Sequence, residues 1–293
     1  MTHIIPSSTV TVAGATGAQG GAATRALLER GRSVRALTRN PDSPAACQLR
    51  DAGAQVAYAD FARPESLDSS LAGSAALFAV TTPFETDVEQ EVRDGVSLLD
   101  AAAVAGVGHI VFSSAANADR ATGIPHFDSK YRVEQHLVSL GVPWTVIAPA
   151  AFMDQYTESW TLDGLREGTF ARPMPGDRPL ALIPAVDIGS FAAMALSKPE
   201  RFAGRRIDIA SDELTGRQVA AVLGAACHRE VHYAELPDEY IQRHSPDLAA
   251  MFRYFAATGL DVDVAELRRE YPEVGWHSLT DWVAKQRWDL VPA

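Results

Sequence analysis

The sequence predicts an α/β protein, a Rossmann-type doubly wound parallel sheet with a smaller α/β C-terminal lobe. Three observations predict it. Short apolar runs alternate with helical stretches through the first half of the chain, the rhythm of right-handed βαβ units. Those runs lack polar alternation, as expected of strands covered by helices on both faces. A glycine-rich turn, Gly14-Ala15-Thr16-Gly17-Ala18-Gln19-Gly20, stands between the first apolar run and the first helical stretch.

Thr9 to Ala13 reads as a buried strand ended by Gly14, and Ala18 to Arg30 as a helix closed by Gly31. Ser33 to Leu37 is a second strand, Pro44 to Asp51 a helix, Gln55 to Tyr58 a third strand and Ala75 to Val80 a fourth. A long helix from Val88 to Ala105 stops at Gly106, and His109 to Phe112 is the fifth strand. A helix from about His126 to Leu140 precedes the sixth strand, Trp144 to Ala148. After Pro149 the rhythm changes. Pro173, Pro175, Pro179 and Pro184 crowd one region, and shorter strand signals, Arg206 to Ile209 and Val231 to Tyr233, mix with helices. The division is residues 1–150, a dinucleotide-binding domain, and 151–293, a substrate or partner lobe with some strands interleaved into the first domain.

Bulk properties bound the function. With 293 residues, 47% hydrophobic and 22% charged, the chain buries a sizeable core without covalent staples. Cys47 and Cys227 are far apart and have no metal-like or redox-like spacing, so a reducing cytoplasmic setting is the simplest reading. Met1 to Val10 lacks the pattern of a signal peptide, and no stretch approaches the roughly 18 apolar residues of a membrane span. The net charge of −11, without a block of Lys or Arg, repels phosphate backbones and argues against direct nucleic-acid binding. Any phosphate site has to be local.

The glycine turn is such a site. Glycines let the backbone turn sharply and approach a pyrophosphate, and the helix after the turn offers unpaired N–H groups and a partial positive charge. Gly14, Thr16, Gly17, Ala18, Gln19 and Gly20 are therefore candidate dinucleotide contacts. An NAD-specific fold carries an acid about 20 residues further on, for the ribose 2′-OH. This chain has Thr38-Arg39-Asn40 there, with no carboxylate. Arg39 suits a bidentate contact to a 2′-phosphate, with Thr38 adding a hydroxyl, so the expected cofactor is NADP(H). A solvated loop arginine is the alternative. Asp60, ending the third strand, either accepts from the adenine amine or caps the next helix.

The helix near residue 130 carries a second signal. His126, Lys130, Val133, Leu137 and Leu140 share one face, and three of the five are apolar. An ammonium group on a buried stripe needs a partner or a polar cleft. The nicotinamide ribose is one such partner, and a snorkelling lysine at the core's edge is the other reading. His126 stands one turn before Lys130, where a Tyr-x-x-x-Lys pair would place a proton-donating tyrosine. Imidazole can donate near neutral pH, but a nearby ammonium disfavours imidazolium. His126 and Lys130 are the candidate catalytic residues. Ser113 and Ser114 at the end of the fifth strand either line the site or cap the turn. Thr81, Thr82, Pro83 and Phe84 leave the fourth strand, and Pro149, Ala150, Phe152 and Met153 leave the sixth. These groups would flank a nicotinamide ring and imply an apolar substrate pocket. Phe152, Tyr156 and Trp160, with Met251, Phe252, Tyr254 and Phe255, either close that cavity or form the lobe's own core.

These residues resemble a family. Val12 to Gly20, Val34 to Pro41, His126-Phe127-Asp128-Ser129-Lys130, Val186-Asp187-Ile188-Gly189 and Ala250 to Phe255 are similar to the NmrA-like group of atypical short-chain dehydrogenase/reductases. The resemblance covers nearly the whole chain and is greatest to the NADPH-sensing branch called HSCARG-like. It implies an NADP-binding Rossmann domain and a small C-terminal lobe, with the glycine turn, Arg39 and Lys130 at the cofactor. Family members divide between reductases of quinone, carbonyl or alkene substrates and redox sensors that bind regulatory proteins. Histidine at the tyrosine position departs from the standard proton relay. Two readings result. In one, the protein is an NADPH-dependent oxidoreductase passing hydride to an apolar carbonyl, quinone or enone. In the other, it is an NADP(H) sensor with little turnover whose lobe contacts another protein; the expected partners are a small apolar substrate and a second copy of the chain or a regulatory protein.

Overall fold

A computed structural model describes residues 9–288. Of the stretch Met1 to Val10, read as free of a signal-peptide pattern, residues 1–8 lie outside that range. The dinucleotide-binding half runs β1 (Thr9–Val12), α1 (Ala18–Glu29), β2 (Val34–Thr38), α2 (Pro44–Asp51), β3 (Gln55–Tyr58), α3 (Glu65–Leu71), β4 (Ser74–Val80), α4 (Val88–Val104), β5 (Ile110–Ser113), α5 (Pro125–Ser139) and β6 (Trp144–Pro149). The remainder runs β7 (Ala151–Phe152), α6 (Ser159–Arg166), β8 (Thr169–Arg172), β9 (Pro179–Ile183), α7 (Ala185–Ser197), α8 (Pro199–Phe202), β10 (Arg205–Ile209), β11 (Asp212–Thr215), α9 (Gly216–Ala226), β12 (His232–Glu235), α10 (Asp238–His244), α11 (Pro246–Ala257), α12 (Val264–Glu270) and α13 (Leu279–Val283).

The main sheet is all parallel and Rossmann-type, in the order β3-β2-β1-β4-β5-β6-β10. Strand order reverses between β1 and β4, so the crevice outside their C-terminal ends is where ligands bind in this topology. The apolar runs that predicted the sheet pack on both faces. Val10, Val12 and Phe78 belong to one core, and Leu77, Phe112 and Val146 to the other.

Arg206 to Ile209, one of the strand signals read after Pro149, is part of β10, which pairs with β6 from Arg205↔Thr145 to Ile209↔Pro149 and so interleaves into the main sheet. The helix α7 lies against α1. The approach is close: a Cβ at Gly189 would lie 2.4 Å from the Ala22 backbone. The lobe's own framework is a three-stranded sheet, β11-β9-β7, and the pair β12-β8. Val219, Leu223, Leu165 and Trp282 form its core.

Candidate functional site

The glycine turn is built by contacts only glycine allows. Gly14 has φ +59°, the left-handed region that other residues avoid. A Cβ at Gly20 would lie 2.3 Å from the Gly14 carbonyl oxygen, so α1 can start directly against the turn only with glycine there. Gly17 N–H donates to Gly14 O at 3.0 Å, and Ala15 N–H donates to Leu37 O at 3.2 Å, fixing the turn to β2. Gly17 is the N-cap of α1 and supplies no side-chain acceptor. Thr16, Gly17 and Ala18 are exposed, so the helix presents an uncapped positive end to solvent. Gln19 accepts from Ser113 Oγ at 2.6 Å, joining the turn to the end of β5.

Around the ends of β2 and β3 the sequence candidates separate. Arg39 is exposed at the end of β2 and pairs with Glu85, from the loop after β4, at 2.5 Å. Thr38 accepts from Asn40 N–H through Oγ1 at 3.2 Å. Asp60 accepts from Ala62 N–H at 3.2 Å and lies 3.6 Å from Arg63, so its carboxylate serves its own turn.

On the other side of the crevice, α5 carries the face read from the sequence. His126, Lys130, Val133 and Leu137 are buried, and Leu140 is partly so. Lys130 has a partner that the sequence reading did not supply. Its Nζ donates to Glu91 Oε1 at 2.8 Å and to the Thr81 carbonyl at 2.9 Å. Glu91 is fully buried on α4 and also accepts from Thr81 Oγ1 at 2.9 Å and from Ser129 Oγ. Lys130 is thus not a lysine snorkelling at the core's edge. It is held in a buried ion pair whose lone pairs are satisfied by two hydroxyls. Gly95 makes the pair reachable, since a Cβ there would lie 2.7 Å from Val133 Cγ2. With no Cβ there the two helices pack closely, and Glu91, one turn before Gly95, meets Lys130, one turn before Val133.

His126 has a second unforeseen partner. Its Nδ1 lies 2.8 Å from both carboxylate oxygens of Asp247, in the first turn of α11, and its backbone N–H donates to Asp247 Oδ1 at 3.3 Å. Burial pushes the Asp247 pKa up, but the hydrogen bond and charge of His126 outweigh it and hold the carboxyl below its ordinary range. The imidazole packs edge-on against Phe127 at 4.9 Å and tilted against Phe84 at 5.4 Å. Phe84 is 68% exposed on the loop after β4.

The remaining rim residues divide. Thr81 is buried in the Lys130–Glu91 cluster, whereas Thr82 is exposed and accepts from Phe84 N–H. Pro149 ends β6, is buried, and accepts from Ala116 N–H at 3.0 Å. Phe152 is half-buried in β7. Ser114 donates to Glu134, so it braces α5. Tyr156 packs edge-on against Phe170 and Trp282 inside the lobe's core. Phe255 is buried instead in the core that holds Val10 and Phe78, with Met251, Phe252 and Tyr254 packed against that core.

The glycine turn, Ser113, Thr81, Lys130 and His126 thus gather at the C-terminal ends of β1, β4 and β5. The model of the NmrA-like family matches residues 6–282. The chain belongs to the NmrA-like family. Among curated relatives of this NmrA-like protein, the (4-alkanoyl-5-oxo-2,5-dihydrofuran-3-yl)methyl phosphate reductase of Streptomyces griseus is 29% identical over 294 residues, covering 97% of this chain and 99% of the relative. The Citrobacter sp. triphenylmethane reductase, solved with NADP(H), superposes with a TM-score of 0.80 at 20% identity, over 94% of this chain and 98% of its own. The negative transcriptional regulator NmrA, solved with NADP, superposes with a TM-score of 0.78 at 22% identity, over 96% of this chain and 95% of its own. Reductases and a regulator thus share this fold. Among the described residues no helix is long and apolar enough to cross a membrane, and no cluster of side chains has the make-up of a metal site.

Proposed function

We propose that this NmrA-like protein is an NADPH-dependent oxidoreductase that reduces an apolar carbonyl, quinone or enone. One observation carries the reading: an uncapped helix N-terminus behind a glycine turn lies on the same sheet edge as a buried lysine and a histidine. The residues present fit the dinucleotide. The α1 N-terminus and the close backbone approach at Gly14 and Gly20 suit its pyrophosphate. Arg39 suits a 2′-phosphate, because an exposed pair with Glu85 contributes only about 0–1 kcal/mol and exchanges readily for a phosphate. Thr38 borders that contact. Lys130 keeps a third N–H beyond its bonds to Glu91 and Thr81, and this donor suits the nicotinamide ribose. Pro149 and Phe152 would flank the ring.

When bound, the reduced nicotinamide supplies the hydride. The protein's own residues orient it, exclude water and supply a proton. Phe84, exposed and tilted against His126, offers an apolar wall to the acceptor. A quinone needs little acid help, which makes the absence of a tyrosine at position 126 tolerable.

A second reading, an NADP(H) sensor with little turnover, is favoured by that same histidine and by the likeness to a transcriptional regulator. Two measurements separate them. Binding of NADPH and NADH is followed by fluorescence, and NADPH oxidation is assayed against a panel of quinones and enones. Turnover of any acceptor supports the enzyme. Tight binding with no turnover across the panel favours the sensor.

A further inference from the structure

Sequence spacing alone casts doubt on His126 as a proton donor, because an ammonium one turn away disfavours imidazolium. In the structure two carboxylates stand beside these cations. The Lys130 charge is matched by the buried carboxylate of Glu91 at 2.8 Å. The imidazole meets a second carboxylate, Asp247, through Nδ1. Nδ1 is thereby committed as a donor to Asp247, and among the described residues no group bonds Nε2. Asp247 of α11 meets the imidazole directly; on its own helix stand the exposed Asp128 and, one turn on, Lys130 paired with Glu91 of α4; on the loop after β4, Glu85 is paired with Arg39. The loop after β4 meets the imidazole with the neutral ring of Phe84.

We propose that Asp247 is the positioning residue that makes His126 the proton donor of this site. The inference rests on the oxidoreductase reading. A bound NADPH would supply the hydride, with both electrons, to the acceptor carbon and would leave as NADP. The acceptor oxygen takes the Nε2 proton, forming an O–H bond as the N–H bond breaks. Nδ1–H stays on Asp247 throughout, and Nε2 recovers its proton from solvent. Asp247 touches neither acceptor nor cofactor. It fixes the ring's orientation and stabilises the charged form, the role a carboxylate takes behind a catalytic histidine. Because Asp247 lies on α11, the donor is complete only when this helix is docked on the N-terminus of α5. Phe255 of α11 packing on Phe127 of α5, with ring centroids 6.3 Å apart, holds that docking independently of the dyad.

The test compares the wild type with Asp247→Asn and His126→Ala. Asparagine keeps the size and an acceptor but removes the charge. In ¹⁵N NMR titrations of the free protein, the proposal expects His126 to lose its proton at lower pH in Asp247→Asn than in the wild type. In turnover with an enone, Asp247→Asn lowers kcat, shifts the alkaline limb of the pH profile down and leaves the KM for NADPH unchanged. His126→Ala lowers kcat by about 100-fold or more. The double variant falls no further than His126→Ala. An unchanged His126 titration in Asp247→Asn, or additive losses in the double variant, would overturn the assignment. If no acceptor is turned over at all, the oxidoreductase reading fails. The titration still decides by itself whether Asp247 governs the charge of His126.

Discussion

Lys130 Nζ lies 2.8 Å from Glu91 Oε1, an ammonium and a carboxylate joined between two helices, with the carboxylate wholly inside the protein. Two buried charges in one place are tolerable only together. Lys130→Met leaves the buried Glu91 carboxyl without its cation and with only two hydroxyls beside it. The expected loss is about 3–5 kcal/mol of stability in urea unfolding at pH 7. Adding Glu91→Leu to Lys130→Met restores most of the loss, because the pair's value is mutual. NADPH affinity does not return in the double variant, since the third N–H of Lys130 is gone. A double variant that recovers both stability and affinity would return Lys130 to a purely structural role.

Arg39 tests the choice of dinucleotide. Arg39→Asp removes the fork for a 2′-phosphate and supplies the acid that a 2′-OH prefers, so the NADPH preference is expected to disappear or reverse. Glu85→Gln frees Arg39 from its ion pair and is expected to tighten NADPH modestly, by less than about tenfold, without changing NADH affinity. Fluorescence titrations with both dinucleotides check the two together. A preference that survives Arg39→Asp places the 2′-phosphate elsewhere.

Gly20 tests the turn. A methyl group there would collide with the Gly14 carbonyl at 2.3 Å, and that obstacle is backbone. Gly20→Ala is expected to cost about 1–3 kcal/mol and to abolish dinucleotide binding even where the variant remains folded. Circular dichroism melts and NADPH titration measure both effects. Normal affinity in a folded Gly20→Ala variant would mean that the pyrophosphate does not use this approach.

Asp247 gives a pH dependence of stability with a definite sign. Its pKa is lowered in the folded protein: burial raises it, and the hydrogen bond and charge of His126 more than offset that. A depressed carboxylate contributes stability that is present above its unfolded pKa and is lost as pH falls through the folded value. The loss therefore falls below about pH 4, the ordinary aspartate value. Urea midpoints at pH 5 and pH 3 are expected to differ less in Asp247→Asn than in the wild type. Equal acid sensitivity would show that the dyad does not link α11 to α5 in solution.

Much of the site was legible because local patterns bear on it. The turn lies between a buried strand and a helix, and Gly20 answers a contact with Gly14 inside that short stretch. Lys130 announced itself as a charge on an apolar face. Glu91 carried the same signature unread: with Gly95 and Leu98 it forms one face of α4, a carboxylate on an inward stripe. A lone acid and a lone base on two buried stripes form a pair that a sequence can suggest. Asp247 gave no such signal, because an acid in the first turn of a helix is ordinary dipole chemistry.

The parallel sheet, the glycine turn and the inward face of α5 are all written in the amino-acid order. Each rests on interactions a few residues long, a strand run, a turn or a helical period. Packing in three dimensions was needed to set β10 into the main sheet beside β6, to bring Glu91 to Lys130 and to bring Asp247 to His126. Those partners are 39 and 121 residues apart in the chain, and their meeting depends on how helices and strands pack. The fold's local parts come from short-range periodicity, while the charge balance of the site is set by which buried groups the packing brings together.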